Sequence, residues 1–310
     1  MNMARRDKRL SMLLGENLSW TDMSKYDRTM GTVCRYMEEL LVIEFSHPDD
    51  VEESVQALRC IINGGGNHVD GIRVRHIGAQ RRSGEPFTSI MNAFYNLYHS
   101  WIACPCNRCF WELCDLIVIE GDDKIDGINT PQQLLRAADV IGLNLKVEYV
   151  GDITCGFFLG RCHGFDSNGK MVSMCDFWRT LKKFHLSSRP PGQAGNDQLL
   201  LAKCLSYLST DYRTPAIGML AWSLAQRLRT TTPVFTKEQT YRLEHGNISI
   251  TDMLNSGPPV LDDLLTAQYA YINNVPLNLL ITLHNAYRDG YYPQIPNDLD
   301  TVPTTYSYVP

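Results

Sequence analysis

The period of the hydrophobic positions changes along this chain, and each change marks an element. Leu18, Trp20 and Asp22 fall on one side of an alternating run over residues 18–22, which predicts a short strand ending near Asp22. Residues 48–62 predict a helix, with Pro48 in the first turn, acidic side chains where the helix dipole favours them, and Gly64 just past the end. Gly64 to Gly66 predicts a loop, and Gly71 to Gly78 a strand through Ile72, Val74 and His76. Pro86 opens a long apolar helix that runs to about Ile102.

The strongest local pattern lies over residues 113–128. Leu116 to Ile119, then Glu120-Gly121-Asp122-Asp123, then Ile125 and Ile128 predict a hairpin with its turn at Gly121. Thr130-Pro131-Gln132-Gln133 is a capping box with proline at the first helical position, and Gly142 closes that helix. Leu145, Val147 and Tyr149 alternate as a strand, and residues 156–161 predict another. Beyond about residue 190 the period turns helical over 196–208, 215–228, 237–245, 260–272 and 276–288, with Thr214 and Thr236 as expected N-caps. Residues 291–310, rich in Pro and Tyr, predict a loosely held tail. The layout is α+β: a mixed first half followed by a helical second half.

Composition narrows the class. With 310 residues, 44% hydrophobic content and a net charge of -5, the chain is globular, and its length suggests roughly two domains. No apolar run approaches the roughly 20 residues of a spanning helix. No hydrophobic segment follows the basic start at Arg5, Arg6, Lys8 and Arg9, so a secretory signal is not expected and the ten cysteines are expected to stay reduced. Mild acidity excludes a histone-like nucleic-acid binder. It leaves room for a polymerase or nuclease, because the charge is segregated: Arg73, Arg75, Arg81 and Arg82 are close together, whereas Glu38 to Glu53 is acidic.

Three motifs carry candidate chemistry. Gly121-Asp122-Asp123 sets adjacent carboxylates at a turn tip, where they can ligate Mg²⁺; the plain alternative is a polar turn. Asp22 and Asp27 add a carboxylate at a strand end and another just past it, and two-metal phosphoryl transfer needs acids from separate strand ends. Ser83-Gly84 leads into a helix on which Thr88 and Asn92 are one i,i+4 step apart and so share a face that can address a sugar hydroxyl. Arg81 and Arg82, just before it, could hold phosphate. Read alone, this segment is a helix start with two incidental polar residues.

Together, D-x4-D at Asp22 and Asp27, S-G-x3-T-x3-N from Ser83 to Asn92, and GDD at Gly121 to Asp123 resemble the palm of a viral RNA-dependent RNA polymerase. The resemblance is to the positive-strand type, nodavirus- and tombusvirus-like, and covers about residues 18–165. It implies a right-hand polymerase: a palm of antiparallel strands with packed helices over 18–165, a fingers-side insertion at about 31–80, a helical thumb over 166–290 and a tail at 291–310. Asp22, Asp122 and Asp123 would hold Mg²⁺, with Mn²⁺ as a substitute. Asp27, Thr88 and Asn92 would recognise the ribose, with Ser83 and Gly84 in a mobile loop. Lys146 would protonate the leaving group, and Phe158-Leu159-Gly160-Arg161 would grip the primer or nascent strand.

The implied partners are template RNA, nascent RNA and ribonucleoside triphosphates, in the host cytoplasm or at replication membranes reached through other sequence. Family members carry long fingers before the first aspartate motif, and here 21 residues precede Asp22. Residues 1–17 are therefore expected to be a fingers remnant, and the chain a partial or divided polymerase that works with a separate fingers-bearing chain. The alternatives are a non-catalytic RNA-binding subunit and a reverse transcriptase. Cys104, Cys106, Cys109 and Cys114 are too closely spaced for the usual paired zinc knuckles, so reduced packing cysteines are expected there instead of zinc.

Overall fold

The alternation that starts at Leu18 forms a strand, β1 (Leu18–Met23), buried on both faces except at half-exposed Asp22. Ser19 and Thr21 are buried with the apolar residues, so β1 is an interior strand that ends in a carboxylate. The structure is a computed structural model and describes residues 8–13, 17–24, 26–63, 67–69, 72–74, 81, 87–105, 110–154, 156–184, 186, 195–245 and 249–293. Two units follow from its contacts. One holds Met12–Asp152; the other holds the described residues from Ile153 onward with those before Met12.

In the first unit, β1 leads into a short helix α1 (Tyr26–Thr29), then α2 (Thr32–Phe45) and α3 (Val51–Asn63). Pro48–Asp50 forms a single 3-10 turn ahead of α3, which places the proline where its missing N–H does no harm. Antiparallel strands β2 (Asn67–Val69) and β3 (Ile72–Val74) follow. Ile72 and Val74 thus lie in a strand as expected. Gly64 to Gly66 and the remainder of the expected strand, Gly71 and residues 75–78, lie outside the described residues.

Helix α4 (Thr88–Ala103) starts two residues after Pro86, and α5 (Phe110–Leu116) runs directly into β4 (Ile117–Glu120). Leu116 therefore ends a helix, where the pattern had given it to the hairpin. After the turn comes β5 (Asp123–Asp126), then α6 (Pro131–Ile141) and β6 (Leu145–Gly151). Both halves of the Thr130/Gln133 capping box form, and Gly142 ends α6 in the left-handed region at φ 77°. Buried Leu134 and Ala137 of α6 meet Ala103 of α4. The sheet order is β4-β5-β1-β6, every neighbour antiparallel.

The second unit opens with three antiparallel strands, β7 (Phe157–Phe158), β8 (Arg161–Phe165) and β9 (Met171–Cys175). The single strand expected at 156–161 is thus a hairpin, because Leu159 and Gly160 both take positive φ and reverse the chain. Seven helices follow among the described residues: α7 (Phe177–Phe184), α8 (Asn196–Asp211), α9 (Ile217–Arg227), α10 (Lys237–His245), α11 (Ile250–Asn255), α12 (Asp263–Ile272) and α13 (Leu277–Arg288). Their core gathers Cys162, Met174, Phe177, Leu205, Ile217, Tyr269 and Leu280.

Thr236 caps α10 as expected, accepting from Gln239 N at 3.2 Å. Thr214 does not cap α9. Its hydroxyl donates to Asp211, and Ala216 stands at the N-cap with φ 62°. Among the described residues no helix is long and apolar enough to cross a membrane. Residues 294–310, most of the expected tail, lie outside the described residues.

Candidate active site

Strand register sets the carboxylates. Thr21 pairs with Lys124, Trp20 with Ile125 and Ser19 with Asp126, so one further step puts Asp22 opposite Asp123. On the other flank Asp22 pairs with Lys146, and across the hairpin Glu120 pairs with Asp123. The turn residue Gly121 has φ 69°, a conformation open to glycine at little cost, and Asp122 follows it. Asp22, Asp122, Asp123 and Lys146 are therefore brought to one end of the sheet.

Two further acids join them that the motifs did not flag. Between Trp20 and Thr21 the β1–β6 register slips: Trp20 pairs with Tyr149 and Thr21 with Val147. Glu148 is the residue left over, and such a bulge re-aims a side chain. Lys146 Nζ donates to Glu148 Oε1 at 3.2 Å. Burial raises the Asp22 carboxyl above its usual range, and the charges of Glu148 and Asp122 raise it further, while Lys146 opposes them. Burial, then Asp122, Asp22, Glu148 and Glu120, push Asp123 up to about 6. A cluster of carboxylates that raise one another in this way is a site that favours added positive charge. Among the described residues no three His, Cys, Asp or Glu side chains converge closely enough to hold a metal ion as they stand.

A polar stripe on α4 holds the turn from behind. Thr88, Asn92 and Asn96 recur at i,i+4, and His99 and Ser100 continue the same face. Asn96, with no solvent exposure, donates from Nδ2 to the Asp122 carbonyl at 3.0 Å. The Lys124 ammonium, also buried, donates to Ser100 Oγ and His99 Nδ1, both at 2.8 Å, and lies 4.0 Å from Asp126 Oδ2. His99 Nε2 sits 2.9 Å from the Leu134 carbonyl, which can only accept. That fixes the Nε2–H tautomer and leaves Nδ1 as the acceptor for Lys124. Burial and the Lys124 charge push His99 down to about 3, so the ring is neutral; burial pushes Lys124 down to about 8. Asn129 completes the network, donating to Asp126 Oδ2 at 3.1 Å and to the Ser100 carbonyl at 3.0 Å.

Asn92 and Asp27 do meet. Asn92 Nδ2 donates to Asp27 Oδ1 at 3.3 Å, and Tyr26 donates its hydroxyl to the Asn92 carbonyl at 3.0 Å. Because the carboxylate requires a donor, Asn92 turns its Oδ1 away, and that buried oxygen has no hydrogen-bond partner among the described residues. Thr88 opens α4, half-buried. Arg82, Ser83 and Gly84 lie outside the described residues, as do Cys106 and Cys109 of the four-cysteine set.

Two cations expected at phosphate have other partners. Arg81 is 5% exposed and its guanidinium pairs with buried Glu38, which also takes Arg35 at 2.9 Å. Its backbone N–H donates to the Asp27 carbonyl at 2.9 Å. In the second unit, Arg161 forks onto both oxygens of Asp211 at 3.1 and 2.9 Å and donates to Ser173 Oγ at 2.7 Å. Burial alone would raise Asp211, but Arg161, Thr210 and Thr214 hold it below the usual carboxylate range. Phe158 is buried, and Leu159 and Gly160 form the hairpin loop with φ of 55° and 70°.

No curated protein matches the chain. A family model described as RNA dependent RNA polymerase matches residues 1–206, which takes in β1, the α4 stripe, the Gly121 turn and the β7–β8 hairpin. With about two thirds of its length matched, the chain belongs to the RNA dependent RNA polymerase family.

Proposed function

We propose that the chain carries out template-directed RNA synthesis from ribonucleoside triphosphates by two-metal nucleotidyl transfer, for replication of a positive-strand viral genome, nodavirus- or tombusvirus-like, in the host cytoplasm. The observation that carries this reading is the gathering of Asp22, Asp122 and Asp123 at one sheet end, where burial first and then the acids around them raise Asp22 and Asp123. In this reading 18–165 is the palm and 166–290 the thumb. The donor set is all carboxylate oxygen, which suits Mg²⁺, or Mn²⁺ in its place. Bound there, divalent ions supply Lewis-acid charge at the reacting phosphate.

The chain's own residues do the rest. Asp22 and Asp122 would hold the ions, with Asp123 beside them. Asn96 fixes the Asp122 backbone so that its carboxylate is presented and not wandering. Lys146, kept next to Asp22 by strand register and tethered to Glu148, protonates the pyrophosphate leaving group. The unpaired Asn92 Oδ1 accepts from the ribose 2′-hydroxyl, with Asp27 orienting the amide and Thr88 on the same helix face. Deoxyribose would leave that oxygen buried and unpaired, a penalty of about 1–3 kcal/mol. The motif assigns Ser83 and Gly84 to template and nucleotide, and Arg82 to phosphate.

Primer extension on an RNA template tests the proposal. Complementary ribonucleotides should be incorporated with Mg²⁺ or Mn²⁺, and Asp122→Ala should abolish incorporation. Incorporation that survives in Asp122→Ala would overturn the assignment.

A further inference from the structure

The β7–β8 hairpin was expected to grip RNA through Arg161, but that guanidinium is 14% exposed and fully engaged. Both its forked nitrogens meet Asp211, and its Nε meets Ser173. Breaking the fork would strand a carboxylate that also accepts from Cys175 N, Thr210 and Thr214, so Arg161 cannot turn outward without unpairing a buried charge. A different cation reaches the same turn. A Cβ built on Gly160 would lie 2.9 Å from an Arg179 guanidinium nitrogen, so the exposed Arg179 side chain lies across the hairpin tip.

Arg179 belongs to α7, whose two faces differ sharply. Phe177, Thr180 and Phe184 are buried, while Arg179, Lys182 and Lys183 recur at i, i+3 and i+4 on the exposed side. The Arg179 backbone N–H donates to Asp176 Oδ1 at 2.8 Å. Its guanidinium makes no hydrogen bond or ion pair among the described residues. At the far end of the helix, Lys203 Nζ donates to the Lys183 and Leu186 carbonyls, adding positive charge where the helix ends. The surface beside the turn is thus a short cationic strip on a rigid element.

We propose that Arg179, with Lys182 and Lys183 behind it, is the backbone-phosphate contact at the β7–β8 hairpin, and that Arg161 is a positioning residue which holds the hairpin to α8 from inside. Gly160 belongs to the same device. It turns the hairpin in a left-handed conformation and leaves room for the guanidinium to lie over the backbone. The ligand is the RNA phosphate chain, read by charge and without base sequence. This inference rests on the RNA-polymerase reading, and its test is separable, since it reads binding and not synthesis.

The test is fluorescence anisotropy with a labelled primer–template RNA over about 0.05 to 0.2 M salt, for the full chain and its variants. Each phosphate contact contributes about 0.7–0.9 to the slope of log affinity against log salt. Arg179→Ala should flatten the slope by about that amount and weaken binding about threefold or more, with an unchanged melting temperature. Arg179→Lys should restore the slope. Arg161→Ala should lower the melting temperature and leave the slope of the folded fraction as it was. An unchanged slope in Arg179→Ala, a slope lost in Arg161→Ala alone, or no RNA binding by the wild-type chain would each overturn the inference. The catalytic reading stands or falls separately, on Asp122→Ala in primer extension.

Discussion

Asn92 and Asn96 show what can and cannot be read one residue at a time. Asn92 was legible because its spacing from Thr88 belongs to a motif with a chemical reason. Asn96, one helical step further on, carries the same amide to the Asp122 carbonyl, yet only the packing of α4 on the hairpin shows it. Glu148 was invisible for a related cause, since its place beside Asp22 depends on a bulge in β6. Arg161 and Arg81 look alike in sequence to solvent-facing phosphate ligands, and only tertiary burial reveals Asp211 and Glu38 as their partners. At this scale Asn92→Ala should lose preference for ribonucleotides over deoxyribonucleotides more than it loses rate, read from incorporation with each sugar. Equal losses with both would contradict the ribose role.

Asp123 gives a pH prediction at the same scale. Its carboxyl, moved from 3.8 to about 6, holds a proton more tightly folded than unfolded. The folded state therefore binds more protons between those values, and stability should fall as pH rises from about 4 to about 6. At the proposed site Mg²⁺ would bind only the deprotonated cluster, so the rise in melting temperature that it confers should be small near pH 4 and full above pH 6. Melting curves with Mg²⁺ and with a chelator across that range check both signs.

Among the elements, those with local chemistry were legible: the Thr130 capping box, the Gly142 close and the hairpin around Gly121 formed as patterned. Segments whose form depends on contacts distant in sequence were not. β9 and α11 are short, α7 is a single amphipathic stretch, and the β7–β8 turn needs a leucine at positive φ that no composition rule suggests. The hairpin's rear support is equally non-local, because Lys124, next to Asp122 and Asp123 in sequence, faces the opposite way into α4. Lys124→Met should leave Asp126, His99 and Ser100 with unfilled buried acceptors and cost about 3 kcal/mol, measured by denaturant unfolding. A loss below about 1 kcal/mol would show that the network does not anchor the turn.

For the whole molecule, the family assignment rests on a match over residues 1–206, and the chemistry on what the β4-β5-β1-β6 order does to acids far apart in sequence. The order of motifs along the chain suggested that Asp22 and Asp122 would meet; antiparallel pairing of β1 with β5 is the physical means. In the proposed reaction these acids form one divalent-ion site. Calorimetric titration of Mg²⁺ or Mn²⁺ into the wild-type chain, Asp22→Asn and Asp122→Asn tests it most directly. The wild type should bind, either substitution should remove that binding, and a remote acidic change, Glu52→Gln, should leave it intact. Binding of equal affinity and stoichiometry in all four proteins would contradict it.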